Sequence, residues 1–313
     1  MLDLFALLYR AVVLWTASYA AASLILLLIF WKHRRETRPV PPEPPDGAWP
    51  RLTVQLPVYN EPAVVIRLLE AACALDYPPG QLEIQLLDDS SDDTTALARA
   101  WLAARPREQG RVSILRRENR TGYKAGALAA GLAAATGELI AIFDADFLPP
   151  PDFLRRTVPH LLARPELGLV QARWGYLNRD ESALTRAQAL ALDGHFVVEQ
   201  FARNRAGLLM NFNGSAGVWR RTCLEEAGGW QADTLCEDLD VSYRAQLAGW
   251  QFLFLPDVVC PSELPPLLGA LRSQNARWAR GSVQCLLKHG GAAARAPIGW
   301  RRRVAALYHL SAY

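Results

Sequence analysis

Residues 137–147 read GELIAIFDADF. Leu139 to Phe143 form an unbroken apolar run between a glycine and an acidic turn, the pattern of a short strand buried on both faces. The same design occurs three times upstream, in LTVQLPVYN (52–60), LEIQLLDDS (82–90) and VSILRRE (112–118). Between these runs lie helical stretches: PAVVIRLLEAACAL (62–75), SDDTTALARAWLAA (91–104) and the Ala-rich KAGALAAGLAAAT (124–136). Short apolar strands alternating with helices predict an α/β fold with a mostly parallel, helix-covered sheet. In such sheets ligands bind beyond the carboxyl ends of the strands. Here those ends carry Tyr59-Asn60-Glu61, Asp88-Asp89 and Asp144-Ala145-Asp146.

The second half is less regular. GLVQARWGY (168–176) and FLFLPDVVC (252–260) read as strands, and NFNGSAGVWRR (211–221) as a glycine-lined turn into another. Residues 183–207 read as a long helix beneath the site, with further helices in DLDVSYRAQLAGW (238–250) and LGALRSQNARWARGSVQCLLKH (268–289).

The flanks are of a different kind. Residues 11–31 are an uncharged run of about the length a bilayer requires. Lys32, His33, Arg34 and Arg35 follow and assign that end to the cytoplasm. The run is long for a signal peptide and lacks a small-residue cleavage site before the charges. Residues 36–50, ETRPVPPEPPDGAWP, can only be an extended linker. The expected organisation is thus an N-terminal membrane anchor at 1–35, the linker at 36–50 and a catalytic domain at 51–290. A basic amphipathic interface segment follows at 291–313, leading to further membrane helices in a longer multi-pass protein of the cell membrane, with the domain cytoplasmic and the lipid bilayer as a partner. A net charge of +3 with scattered basic residues gives no argument for a nucleic-acid partner. Five cysteines without metal-ligand spacing fit reduced thiols.

The acidic stations carry the chemistry. Asp144 and Asp146, at i and i+2 of an extended segment, project to the same side a few ångströms apart. Carboxylates so close repel unless a cation sits between them, and hard divalent ions take oxygen ligands, so Mg²⁺ or Mn²⁺ on a diphosphate is the expected occupant. The other reading is a solvated Asp-rich turn, which the flanking apolar residues disfavour. Tyr59, Asn60 and Glu61 end the first strand in a turn that can hold a nucleobase and ribose, or that merely caps a helix ahead of Pro62. Asp88 and Asp89 point to opposite faces, so one can meet the ligand while the other caps the next helix; the sequence does not say which. Lys124 opens a helix, a place suited to a phosphate contact, or is a surface lysine lying on Tyr123. Glu237 and Asp238 open another helix, where acidic residues complement the dipole and where one carboxylate can act as general base toward a hydroxyl. Gly214 and Ser215 allow close backbone approach and could line an acceptor groove, or equally make a tight entry into a strand. Gln274, Arg277 and Trp278 share one side of a helix; Trp offers a face for a sugar and Arg a fixed cation, although a core Trp with a snorkelling Arg has the same spacing.

In order, Asp, Asp-x-Asp, Glu-Asp and Gln-x-x-Arg-Trp resemble family 2 glycosyltransferases, in the processive, cellulose-synthase-like branch. VQLPVYNE, QLLDDSSDDT, RTGYKAGAL, FDADF, GSAGVWRR and EDLDVSYRAQLAGW look like the glucomannan and xyloglucan-backbone synthases of that group. The resemblance covers roughly residues 50–290. It implies a GT-A domain that binds a nucleotide-sugar donor, with Asp88 or Asp89 at the nucleoside, Asp144 at nucleotide and metal, and Asp146 at the metal. Asp238 would be the base with Glu237 in support; Trp278 would stack on the acceptor sugar, and Gln274 and Arg277 would lie near the diphosphate and acceptor. Cys236 departs from the family's Thr or Val. The implied reaction is hexose transfer, with inversion, from UDP-glucose or GDP-mannose to a growing β-linked polysaccharide. Transfer of one sugar to a glycolipid acceptor, or an inactive nucleotide-binding scaffold, are the competing readings. Clustered carboxylates without a ligand are costly, which weighs against the scaffold.

Overall fold

A computed structural model describes residues 2–45 and 47–312, with side chains from residue 6 onward. An apolar helix, α1 (Leu2–His33), precedes the linker. The domain then runs β1 (Leu52–Val58), α2 (Val65–Cys73), β2 (Leu82–Asp88), α3 (Thr94–Ala103), β3 (Val112–Arg116), α4 (Tyr123–Ala134) and β4 (Leu139–Ile142). It continues through α5 (Phe153–Ala163), β5 (Leu167–Tyr176), α6 (Ala183–Asp193), a π-helical segment (Gly194–Gln200), α7 (Phe201–Arg205), β6 (Gly217–Arg220) and α8 (Arg221–Glu226). The remaining elements are α9 (Glu237–Leu247), β7 (Gln251–Ser262), α10 (Leu268–Arg295) and α11 (Trp300–Leu310).

One seven-stranded sheet has the order β3-β2-β1-β4-β6-β5-β7. Strands β1 to β4 pair in parallel, as their apolar runs require. Strand β6 is antiparallel to both β4 and β5, and β5 and β7 are parallel again. Pro256 and Pro261 are tolerated in β7 because it is an edge strand, irregular where Ala172 passes to Arg173 on β5. Each face carries its own apolar core. On one, Leu52, Val54 and Leu56 pack with Leu68, Leu69 and Phe153. On the other, Ile140 and Ile142 meet Leu128, Phe212 and Trp219. A third, smaller core joins Tyr243 of α9, Cys285 of α10 and Ala306 and Leu310 of α11.

Helix α11, read from sequence as a basic amphipathic segment, folds back on α10 and α9: the Tyr243 hydroxyl donates to the Ala306 carbonyl at 3.0 Å. Trp300 and Val304 stay exposed on its other side. Residues 6–33 form a helix long and apolar enough to cross a membrane. Its Phe30 ring packs edge-on against Phe201 of α7, and its Tyr19 hydroxyl donates to the Ser311 carbonyl at 2.8 Å.

Candidate active site

The carboxyl ends of β1, β2 and β4 converge, and the turns beyond them are tied together through side chains. Asn60 takes a left-handed conformation and its Oδ1 accepts from the Ser91 amide at 2.9 Å, while its own amide donates to Ser90 Oγ at 2.9 Å. Asp88 is fully buried and accepts from the Ser90 amide and the Thr95 hydroxyl, so its carboxylate holds the β2 turn. Asp89 points to the other side and is paired with the Arg117 guanidinium. That guanidinium also donates to the Thr121 and Tyr123 carbonyls and fixes the entry to α4. Arg120 lies over the exposed Tyr59 ring, 3.2 Å from its centre. Arg117 and Arg120 were not singled out from sequence, since neither breaks the charge pattern of RRENR.

Helix α4 delivers Lys124 into the acidic centre. Its Nζ is 2.5 Å from Asp144 Oδ1 and 3.7 Å from Glu237 Oε1, and it donates to the Gly214 carbonyl at 3.0 Å. Burial works against that charge, but Asp144 and then Glu237 outweigh it and hold the ammonium's pKa above the ordinary lysine value. Asp146 behaves oppositely: burial, then repulsion from Asp144, pushes its carboxyl up to about 7. Glu61 is also raised, by burial and then by Asp144. Among the described residues no group of three potential ligand side chains is arranged as a closed metal centre. The Asp144–Asp146 pair nevertheless fits a hard cation, because a buried carboxyl raised by a like neighbour is relieved when a divalent ion binds both. The Asp144 amide donates to Ser215 Oγ at 2.9 Å, tying this turn to the 214–216 loop. Three non-glycine residues in the described chain have positive φ, Asn60, Tyr123 and Ala216, and all flank these carboxylates. Backbone strain of this kind collects at functional sites.

Helix α9 supplies the last carboxylates from its first turn, where Asp238 Oδ1 accepts from the Leu239 amide at 2.8 Å. Burial, then repulsion from Glu237, raises the Asp238 carboxyl to about 7, against the pull of Lys124. Gly214 is what lets the loop approach. At φ +81°, a Cβ there would stand 3.1 Å from Asp238 Oδ2 and 3.3 Å from Lys124 Nζ. Two residues further in the same turn, Asp240 is fully buried and clamped by Arg244 Nη2 at 2.6 Å and by His289 Nε2 and Lys288 Nζ at 2.7 Å each, which fixes α9 on α10.

Asp238 opens onto a cavity of about 620 Å³ between α6, the π-helical segment and α10. Gln274 and Trp278 line it, with Trp174 opposite. Arg277, grouped with them by spacing, is exposed and stands outside this lining. Cys236 also borders the cavity, its thiol directed at the Trp278 carbonyl at 3.7 Å. At the cavity's polar end stand His195, Glu199, Asn211 and Asn213, which no sequence pattern marks out.

A mostly parallel, helix-covered sheet with paired carboxylates at its strand ends is the GT-A type of glycosyltransferase fold. The chain belongs to glycosyltransferase family 2: the family model described as Glycosyltransferase like family 2 matches residues 50–281. Among curated relatives, glucomannan 4-beta-mannosyltransferase 2 of Arabidopsis thaliana is 42% identical over 279 residues, 86% of this chain and 52% of that protein. Glucomannan 4-beta-mannosyltransferase 1 of Oryza sativa subsp. japonica is 42% identical over 257 residues, 80% of this chain and 49% of that protein. The chain thus spans about half the length of the curated relatives it matches. Of solved structures, the mannosyltransferase PcManGT from Pyrobaculum calidifontis, in complex with GDP-Man and Mn²⁺, superposes with a TM-score of 0.72 at 28% identity, covering 93% of this chain and 79% of that one. TarS of S. aureus, at 13% identity and a TM-score of 0.59 over 83% of this chain and 71% of that one, shares the fold.

Proposed function

We propose that this chain is the catalytic part of a membrane-bound, inverting glycosyltransferase that passes a hexose from a nucleotide sugar to a β-linked polysaccharide. The supporting names favour GDP-mannose over UDP-glucose, since the curated relatives are mannosyltransferases and the related archaeal structure carries GDP-Man. The observation that carries the reading is the place of Asp238: at the mouth of an aromatic-walled cavity, next to the Lys124–Asp144 ion pair.

From that place one carboxylate suffices. Asp238 takes the proton from an acceptor hydroxyl as its oxygen attacks the sugar's anomeric carbon, and the nucleoside diphosphate leaves from the opposite face, inverting the centre. Burial prepares Asp238 for this, because a base raised to about 7 accepts a proton more readily than an ordinary aspartate. Glu237 supports it by repulsion. Lys124, already committed to carboxylates, supplies a permanent positive charge on the diphosphate side. Asp144 and Asp146 would hold Mg²⁺ or Mn²⁺, which when bound offsets charge on the diphosphate. Tyr59, Asn60, Glu61 and Asp89 form the rim facing the nucleoside, with Asp88 beneath them. Trp278 and Gln274 face the acceptor, with Gly214 and Ser215 opposite, while Arg277 contributes charge from outside the cavity. Helix α1 crosses the bilayer, with Lys32–Arg35 and the domain on the cytoplasmic side.

The test offers radiolabelled GDP-mannose and UDP-glucose separately to membranes holding the full chain, with Mn²⁺, and sizes the product. Polymer from one donor establishes the synthase and names its sugar. A single sugar on extractable lipid would replace the polysaccharide acceptor by a lipid, and no transfer from either donor would sink the proposal.

A further inference from the structure

The polar end of the cavity holds a donor with nothing to donate to. Asn213 is only 8% exposed, and its amide nitrogen has no hydrogen-bond partner. Its oxygen, by contrast, is doubly engaged: Asn211 Nδ2 donates to it at 3.0 Å and His195 Nε2 lies 2.9 Å away. His195 is held in turn, its Nδ1 3.2 Å from Glu199 Oε2, while Glu199 Oε1 accepts from Arg203 Nε at 2.8 Å. The backbone is equally constrained, since the Asn213 amide donates to the buried Gln171 side chain at 3.1 Å. The Asn211 oxygen is also without a partner. Leaving a buried amide donor unmet is costly, yet Asn211, His195 and Gln171 hold this residue in place, with Glu199 and Arg203 behind His195. His195 and Glu199 lie on the π-helical segment, a rare geometry that recurs at functional sites.

We infer that Asn213 binds the acceptor saccharide through its amide nitrogen, and that His195 and Glu199 are positioning residues that aim it. This rests on the transfer reading above. The chemistry selects a neutral, hydroxyl-rich ligand. Trp174 and Trp278 give the cavity flat apolar walls, and Asn213 and Asn211 give it one free donor and one free acceptor. Arg203, the nearby cation, is already spent on Glu199, so a phosphate finds no free charge there. Asn213 directly precedes Gly214, the residue against which Asp238 packs, so a hydroxyl held by Asn213 belongs to the sugar next to the base.

The test titrates mannotetraose and cellotetraose into the full chain in detergent without nucleotide, reading the fluorescence of the tryptophans that line the cavity. Binding of GDP-mannose and UDP-glucose with Mn²⁺ is measured separately. The unaltered protein should bind one oligosaccharide. Asn213→Ala and the equal-sized Asn213→Asp, which lacks the donor, should weaken it about tenfold, the worth of one hydrogen bond left unmade. Nucleotide-sugar binding should not change. His195→Ala should weaken the oligosaccharide about threefold in the parent and have no effect in the Asn213→Ala background, a coupling that loss of structure alone would not give. Oligosaccharide binding that is absent from the parent, unchanged in both Asn213 variants, or lost additively with His195→Ala would overturn the inference. If the parent bound oligosaccharide and neither nucleotide sugar, the transfer reading would fail while the saccharide site stood.

Discussion

Replacing Asp238 by Asn should make the protein more stable and inactive at once. The carboxyl titrates near 3.8 when unhindered and near 7 in the fold, where burial and Glu237 oppose its charge. Holding it ionised above pH 7 therefore costs the folded state at most about 4 kcal/mol. The side chain is partly exposed and water screens that cost, so about 2 kcal/mol is the expected gain from a neutral isostere. The Leu239 amide keeps its acceptor, because Asn retains the oxygen. The sign follows from proton binding. Between about pH 4 and 7 the folded state holds a proton that the unfolded chain has released, so stability falls as pH rises through that window. The variant lacks this loss, and its advantage should be absent at pH 4 and full at pH 8. For a domain of this size the gain corresponds to about 4–8 °C in Tm, read by tryptophan fluorescence in detergent without donor or metal. Transfer should fall by about 10²–10⁴ with donor binding kept, as removal of a general base requires. A lower Tm, or a gain independent of pH, would refute the electrostatic reasoning, and loss of donor binding would refute the assignment of the base.

Asp240→Asn should act in the opposite direction. Burial raises this carboxyl, but bonds from His289, Arg244 and Lys288 outweigh it and hold it well below the usual carboxylate range. Removing the charge takes the carboxylate from Arg244 and His289, while Lys288 keeps Asp233, and should cost about 3 kcal/mol. The stabilisation it removes is present above about pH 4 and fades as pH falls, so denaturant midpoints of parent and variant should converge in acid. Gly214→Ala asks a side chain to accept φ +81° against Asp238 and Lys124. It should lower kcat more than tenfold while costing only about 1 kcal/mol of stability, as an unfolding curve beside the transfer assay would show. Asp146→Ala should abolish Mn²⁺-dependent binding of GDP-mannose measured by calorimetry, and unchanged binding would remove Asp146 from the metal site.

The first half of the fold was legible because its strands are buried on both faces and end in acid, so LEIQLLDDS and GELIAIFDADF mark both strand and site. Strand order was not, since β6 enters antiparallel between β4 and β5 through contacts distant in sequence. Periodicity placed Gln274 and Trp278 on the cavity but also put Arg277 with them, because a helical side is wider than the part that faces a ligand. His195 and Glu199 looked like any i, i+4 pair on a helix. Only the π-helical turn and the distant Asn213 give them a common purpose, and neither can be read from spacing.

The contact between Tyr19 and Ser311 has a further consequence for solvation. Tyr19 lies midway along the apolar helix α1, and its hydroxyl meets both the carbonyl and the hydroxyl of Ser311 just past the end of α11. A helix end carries carbonyls without an intrahelical partner, which water ordinarily satisfies. A single phenol from α1 therefore takes the solvent's place at that helix end and ties the apolar N-terminal helix to α11. Removing that one oxygen with Tyr19→Phe would leave both helices their shape while returning the Ser311 carbonyl to solvent and loosening α1 from the domain.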